Sequence, residues 1–115
     1  MFDFQKLTVY QKAKLFHSFI HEKILEPNNL KPYYRDQLGR ASLSVALNIA
    51  ESSSRFTPKS RRNFIVIARG SLFECVAVSE ILLNRGSISG EQYQELFNQA
   101  DQLSRMLFKM IRNLE

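Results

Sequence analysis

The sequence predicts an all-α fold: an antiparallel up-down four-helix bundle formed by one domain, residues 1–115. Apolar residues recur every three or four positions in four segments, and no segment alternates apolar and polar residues as a half-buried strand does. Proline, glycine and asparagine residues separate the four segments into short connections. Short connections place consecutive helices side by side in opposite directions.

Helix 1 is expected at about residues 8–25. Thr8, followed three positions later by Gln11, has the spacing of a capping box. Pro27 and the following asparagine pair are expected to end the helix. One stripe at helical spacing is expected to face the core: Val9, Ala13, Phe16, Ile20 and Ile24.

Helix 2 is expected at about residues 32–53, with Pro32 in its first turn. One narrow face is polar, and its central residues are Arg40, Ser44, Asn48 and Glu51. Most of the remaining circumference is apolar. A helix that is apolar over most of its girth must be covered on more than one side.

Helices 3 and 4 have clear boundary residues. Thr57 and Pro58 fit the N-cap and first position of helix 3, expected at about 58–84, and Gly86 fits a left-handed cap after it. Ser89 with Gln92 predicts a capping box for helix 4, expected at about 89–114. Helix 4 carries an apolar seven-residue repeat that favours packing in a bundle: Tyr93, Leu96, Ala100, Leu103, Leu107, Met110 and Leu114.

The apolar girth of helices 2 and 3 exceeds what one small bundle needs. A stripe of helix 3 from Phe64 to Leu82 is apolar, and so is a second stripe that includes Val76. We therefore expect a homo-oligomer whose contacts include Leu43, Leu47 and Val76.

Composition places the chain among ordinary globular proteins. The longest run without charge, residues 41–50, is about half a membrane span. The single cysteine excludes a disulfide framework. We therefore expect a cytoplasmic protein with no membrane partner.

The residues predict no enzyme, no cofactor and no metal site. His17 and His21 have a spacing that can chelate a metal, but the chain contains no third histidine to complete a set. No glutamate is followed three positions later by histidine, as di-iron bundles require, and there is no glycine-rich phosphate loop.

The polar face of helix 2 has two interpretations. It is either a hydrogen-bonded seam that fixes how helices pack, or a stripe that binds a ligand. Its flanking apolar residues favour the seam, in which Asn48 would make hydrogen bonds across helices. Glu51 is expected to pair with Arg55 at the i+4 position.

Positive charge concentrates around the junction of helices 2 and 3. The net charge is +5, and residues 27–73 contribute eight basic and two acidic groups. The densest part holds Arg55, Lys59, Arg61, Arg62 and Arg69. This cluster either binds nucleic-acid phosphates, RNA above all, or simply solvates a loop and a helix start. Few aromatic residues interleave with it, which favours solvation.

Two segments carry a family resemblance: QLGRASLSVALNIAESSSR at 37–55 and FIVIARGSLFE at 64–74. They are similar to a bacterial family of four-helix bundles, members of which are encoded in intervening sequences of 23S ribosomal RNA genes. The similarity begins at FQKLTVYQKA, residues 4–13, and weakens in helix 4. Ser52 stands where the family commonly has glycine, so the turn after helix 2 is where a difference is expected.

The resemblance implies a homopentameric ring of up-down bundles and no defined biochemical role. A distantly similar family, the accessory proteins of diversity-generating retroelements, forms basic pentameric barrels that engage reverse transcriptase and nucleic acid. That likeness is one of fold. The sequence thus predicts an oligomeric interaction module, with RNA binding as the alternative.

Overall fold

The computed structural model describes residues 1–115, which form helices joined by short turns. The four main helices are α1 (Thr8–Phe19), α2 (Pro32–Ser53), α3 (Pro58–Asn84) and α4 (Gly90–Asn113). A 3₁₀ turn, Asp3–Lys6, precedes α1, and a π-helical segment, Ile20–Leu25, continues it. Each helix packs on two others, so that α2 and α4 both contact α1 and α3. The predicted all-α, four-helix fold is confirmed.

The core lies where the apolar stripes meet. Every residue of the predicted α1 stripe is buried, and Phe16 is completely inaccessible to solvent. The centre of the seven-residue repeat in α4 is buried as well, from Leu96 to Leu107. None of the four helices combines the length and the hydropathy needed to cross a membrane.

The start of α1 differs from the prediction. Thr8 is the first helical residue and caps nothing, because the flanking position is Leu7. The backbone N–H of Gln11 donates to the Leu7 carbonyl at 3.1 Å, and the Gln11 side chain donates to the Gln5 carbonyl at 3.1 Å. The preceding 3₁₀ turn brings that carbonyl within reach, so the glutamine side chain ties the turn to the helix.

The first helix extends to residue 25 as predicted, but its last six residues widen into a π-helical segment. Two side chains then satisfy its last carbonyls. Asn28 Nδ2 donates to the Ile24 carbonyl at 2.8 Å, and Arg35 Nη1 donates to the Leu25 carbonyl at 2.9 Å. Arg35 lies on α2, so it also fastens α2 to this end of the bundle.

The predicted caps of α3 and α4 are confirmed. The Thr57 hydroxyl accepts a hydrogen bond from the Ser60 N–H at 3.1 Å. Ser89 and Gln92 exchange both bonds of a capping box, at 3.0 and 2.8 Å. Gly86 has a φ of +73°, the left-handed conformation that glycine adopts without a steric penalty.

Candidate interaction surfaces

The polar face of α2 packs against α3. Ser44 Oγ lies 2.9 Å from Ser71 Oγ, which joins the two helices. Asn48 Nδ2 donates to both the carbonyl and the hydroxyl oxygen of Ser44, at 2.9 Å each. We call these three residues the seam. The expectation that Asn48 forms hydrogen bonds across helices was wrong, because both of its bonds stay within α2. The hydrogen bond between the helices is made by Ser44, whose short side chain points at Ser71.

Other contacts extend the α2–α3 interface in both directions. Gln37 Nε2 donates to Glu74 Oε2 at 3.2 Å. The buried Ser52 hydroxyl donates to the Arg61 carbonyl at 2.9 Å. Ser52, which stands where the family commonly has glycine, therefore connects the end of α2 to the start of α3. Arg40 was expected within this stripe, but it is exposed and makes no hydrogen bond. Glu74 of α3 instead accepts its hydrogen bond from Gln37.

Three of the five basic residues predicted at the α2–α3 junction are held by contacts inside the chain, two of them at the junction itself. Arg55 Nη2 lies 2.6 Å from Glu51 Oε1, as the i+4 spacing predicts, and its guanidinium stacks 4.4 Å from the Phe64 ring centre. Arg61 Nε donates to the Arg55 carbonyl at 2.7 Å. Both cations therefore organise the turn between the helices.

Arg69 does not join the other basic residues at the junction. Its guanidinium lies 4.7 Å from the Phe73 ring centre and 5.3 Å from that of Phe108, and Nε donates to the Ser104 carbonyl at 3.3 Å. It thus bridges α3 and α4. Around the junction, Lys59 and Arg62 remain without an ion pair, beside a Phe56 side chain that is 99% exposed.

The outer side of α2 exposes two large apolar residues. The Leu43 side chain is 43% exposed and Leu47 is 57% exposed. They lie one turn apart, and Arg40 and Glu51 flank them along the helix. We call these four residues the α2 stripe.

A groove runs between α3 and α4 on the outside of the bundle. Its first part has a volume of about 350 Å³, and its walls include Phe73, Val76, Glu80 and Phe97. Phe73 is 54% exposed. A second part of about 340 Å³ continues past Arg69. Its walls include Val66, Phe108 and Ile111.

The aromatic wall of this groove was not predicted from the sequence. Phe97 and Phe108 lie outside the seven-residue repeat of α4. They are on the polar side of that helix, together with charged residues such as Asp101 and Arg105. They are eleven residues apart, which is about three helical turns and therefore one face. Two phenylalanines on the otherwise polar face of one helix are the sequence signal from which this exposed apolar surface could have been predicted.

The side chains that could act as a catalytic base or nucleophile, His17 and Cys75, lie outside both the α2 stripe and the groove. His17 Nδ1 lies 2.7 Å from Ser42 Oγ, which is fully buried. Burial lowers the pKa of His17, and the neighbouring His21 lowers it further. Burial, together with the charge of Glu74, raises the pKa of the Cys75 thiol to about 12, so this thiol stays protonated near neutral pH.

No three histidine, cysteine, aspartate or glutamate side chains converge as a metal site would require. His21, the second member of the histidine pair, lies 3.2 Å from Glu26 Oε1 at the surface. The His17–Ser42 contact was also not foreseen, because a small serine on an apolar face carries no distinctive pattern.

Comparison with a solved structure agrees with this architecture. The fold is similar to a crystal structure described as a protein with unknown function from the S23 ribosomal protein family of Bacteroides thetaiotaomicron. The TM-score is 0.74 at 21% sequence identity, and the alignment covers 90% of this chain and 97% of that one. At this identity the likeness concerns the fold. No curated protein matches the chain closely enough to count as a relative.

The sequence itself matches a family model over most of its length. Residues 5–109 fit the model described as 23S rRNA-intervening sequence protein. The matched region runs from the 3₁₀ turn through most of α4, and includes the seam, the α2 stripe and all of the groove walls named above except Ile111. The chain therefore belongs to the 23S rRNA-intervening sequence protein family.

Proposed function

We propose that this protein is a non-enzymatic interaction or scaffold module that works as a homo-oligomer in the cytoplasm. The observation that carries the proposal is the exposure of large apolar side chains on two separate surfaces, the α2 stripe and the α3–α4 groove. Contiguous apolar surface of this kind is typical of protein–protein contacts. The family resemblance implies a pentameric ring, and we propose that state here.

The proposed subunit is an antiparallel up-down bundle. The α2–α3 contacts support this order, because Gln37 pairs with Glu74 whereas Ser52, later in α2, pairs with Arg61, earlier in α3. Residue numbers therefore rise along one helix as they fall along the other. Turns of a few residues between consecutive helices support the same order for the remaining pairs.

The placement of the reactive side chains supports a non-enzymatic role. The Glu51 carboxylate is paired with Arg55, and His17 contacts a buried serine. The Cys75 thiol is buried, and burial raises its pKa to about 12. These three groups are engaged separately and do not face a shared cleft.

Light scattering tests the oligomer directly. We expect the purified chain to run as one species several times the 13.4 kDa subunit mass at micromolar concentration. Leu43→Asp combined with Leu47→Asp is expected to dissociate it, because two carboxylates would be buried in an apolar contact.

Leu15→Asp is the matched control. Leu15 is also exposed, but it lies on α1 beside Gln99 and Gln102 of α4, away from both surfaces. This variant is expected to assemble normally. A wild-type protein that stays monomeric at micromolar concentration would contradict the proposed function.

The alternative function is weakly specific RNA binding at the α2–α3 junction. The observation that favours it is Phe56, whose 99% exposed ring lies in the turn beside Lys59 and Arg62. An exposed aromatic ring next to unpaired cations can stack on a base while the cations contact phosphates. Several copies in an oligomer would multiply weak contacts.

Titration of labelled single-stranded RNA at low and moderate salt tests this alternative. Binding is expected at low salt and should weaken steeply as salt rises, because phosphate contacts release counterions. Lys59→Ala with Arg62→Ala should abolish it, and Phe56→Ala should weaken it. Arg105→Ala with Lys109→Ala, on the exposed side of α4, is the charge-matched control. Absence of binding at low salt would rule the alternative out.

A further inference from the structure

The α2 stripe has a regular order of charge. Arg40, Leu43, Leu47 and Glu51 follow one another at spacings of three, four and four residues, so they lie along one side of the helix. A cation stands at one end and an anion at the other, eleven residues apart. At the rise of an α-helix this separation is about 16 Å.

The α3 wall of the groove repeats this order. Arg69, Phe73, Val76 and Glu80 follow at spacings of four, three and four residues, and all four line the groove. The cation and the anion are again eleven residues apart. Two apolar side chains again lie between them.

We propose that the α2 stripe of one subunit docks antiparallel into the α3–α4 groove of a second copy of this chain. Arg40 then faces Glu80, Glu51 faces Arg69, and the two leucines pack against Phe73 and Val76. This inference rests on the proposed homo-oligomer and adds which surfaces meet and in what direction. Equal charge spacing on the two surfaces selects this register, because a parallel arrangement would place like charges together.

The charges at one end of the proposed contact have no ion-pair partner within the chain. Arg40 and Glu80 are both exposed and form no salt bridge. Glu80 and Asp101 both line this end of the groove, and because Asp101 pairs with Arg105 at 3.1 Å, Glu80 is the acid left for a cation of the partner copy. At the other end, Glu51 binds Arg55 through Oε1 and Arg69 stacks on two phenylalanine rings, so the new contact there would use Glu51 Oε2 and the terminal nitrogens of Arg69, which make no hydrogen bond within the chain.

The proposed contact joins two different surfaces. It is therefore a head-to-tail contact, and an open assembly keeps one free stripe at one end and one free groove at the other until a ring closes. This property agrees with a closed ring, because closure is the step that occupies every stripe and every groove.

Charge reversal tests the pairing. Light scattering and sedimentation are measured for Arg40→Glu, Glu80→Arg and the double variant. Each single reversal should raise the apparent dissociation constant at least about tenfold, because it places like charges in contact. The double variant should assemble to within a few-fold of wild type. Lys109→Glu, an exposed charge reversal on α4 outside the groove, should assemble normally. Circular dichroism checks that all variants are folded.

Mixing the two single variants identifies the contact as one between subunits. Each variant alone should assemble at least about tenfold more weakly than wild type, whereas an equimolar mixture should assemble more tightly than either, because the negative stripe of one variant meets the positive groove of the other. A five-membered ring of alternating variants keeps one like-charge contact, so the mixture should recover assembly only in part. If the wild type assembles and either single reversal leaves assembly unchanged, or the double variant fails to restore it, the proposed pairing is wrong while the oligomer stands. A monomeric wild type overturns both.

Discussion

The two sides of α3 illustrate two ways for helices to meet. Towards α2, Ser71 forms a hydrogen bond with Ser44, and small side chains close the interface. Towards α4, Phe73 and Val76 line a groove of about 350 Å³ that stays open on the outside of the bundle. Small polar residues complete a contact within the subunit, whereas large apolar residues leave a surface that only another molecule can cover.

Ser71→Leu is expected to have the largest effect on this difference. It introduces a large side chain where Ser71 is buried, and it leaves the Ser44 hydroxyl with one partner fewer. The expected loss in the free energy of unfolding is about 2–3 kcal/mol, measured by urea denaturation.

Ser71→Ala is the control for this variant, because it removes the hydrogen bond without adding volume. It should cost about 1 kcal/mol or less, since Ser44 Oγ keeps its bond from Asn48. If Ser71→Leu were as stable as Ser71→Ala, the interface between α2 and α3 would have room that the structure does not show.

Asn48→Leu tests whether the seam is structural. The variant removes two hydrogen bonds to Ser44 at a half-buried position, and the expected loss of stability is about 1–2 kcal/mol. Urea denaturation and light scattering together measure it. A variant with unchanged stability and unchanged assembly would instead favour the interpretation that the polar face of α2 binds a ligand.

The contact between α1 and α2 differs from the seam because it contains a titratable group. Burial, then His21, lowers the pKa of His17 in the folded chain below the ordinary value of 6.5. The unfolded chain therefore binds more protons as the pH falls below about 6.5, so stability is complete above that pH and is lost as the pH falls through the native pKa. The melting temperature should decrease between pH 7.5 and pH 5.5.

His17→Gln should reduce this acid dependence of the melting temperature, because glutamine does not titrate. His21→Gln should reduce it less, since His21 is the smaller of the two causes. An unchanged acid dependence in His17→Gln would assign it to other groups.

Gln37→Ala is expected to have the smallest effect. The bond from Gln37 to Glu74 lies at the exposed end of the α2–α3 interface, where water replaces it readily. Stability should change by less than about 0.5 kcal/mol. A loss comparable to that of Asn48→Leu would mean that the whole interface, and not only its half-buried centre, holds the helices together.

The local features of the fold could be predicted because each depends on neighbouring residues. The caps at Thr57 and Ser89, the left-handed Gly86 and the buried stripe of α1 follow from spacing within one segment. The π-helical end of the first helix did not follow, because Asn28 and Arg35 stabilise it from outside that segment.

The sequence alone determined that this chain forms four helices, which faces of them are apolar, and which family the chain belongs to. The tertiary structure alone decided which polar and charged side chains meet across helices. It joined Ser44 to Ser71, separated Arg69 from the other basic residues, and left Arg40 without a partner. The physical reason is range: helical periodicity is set by residues a turn apart, whereas a hydrogen bond or an ion pair depends on distances of a few ångströms between segments far apart in the chain.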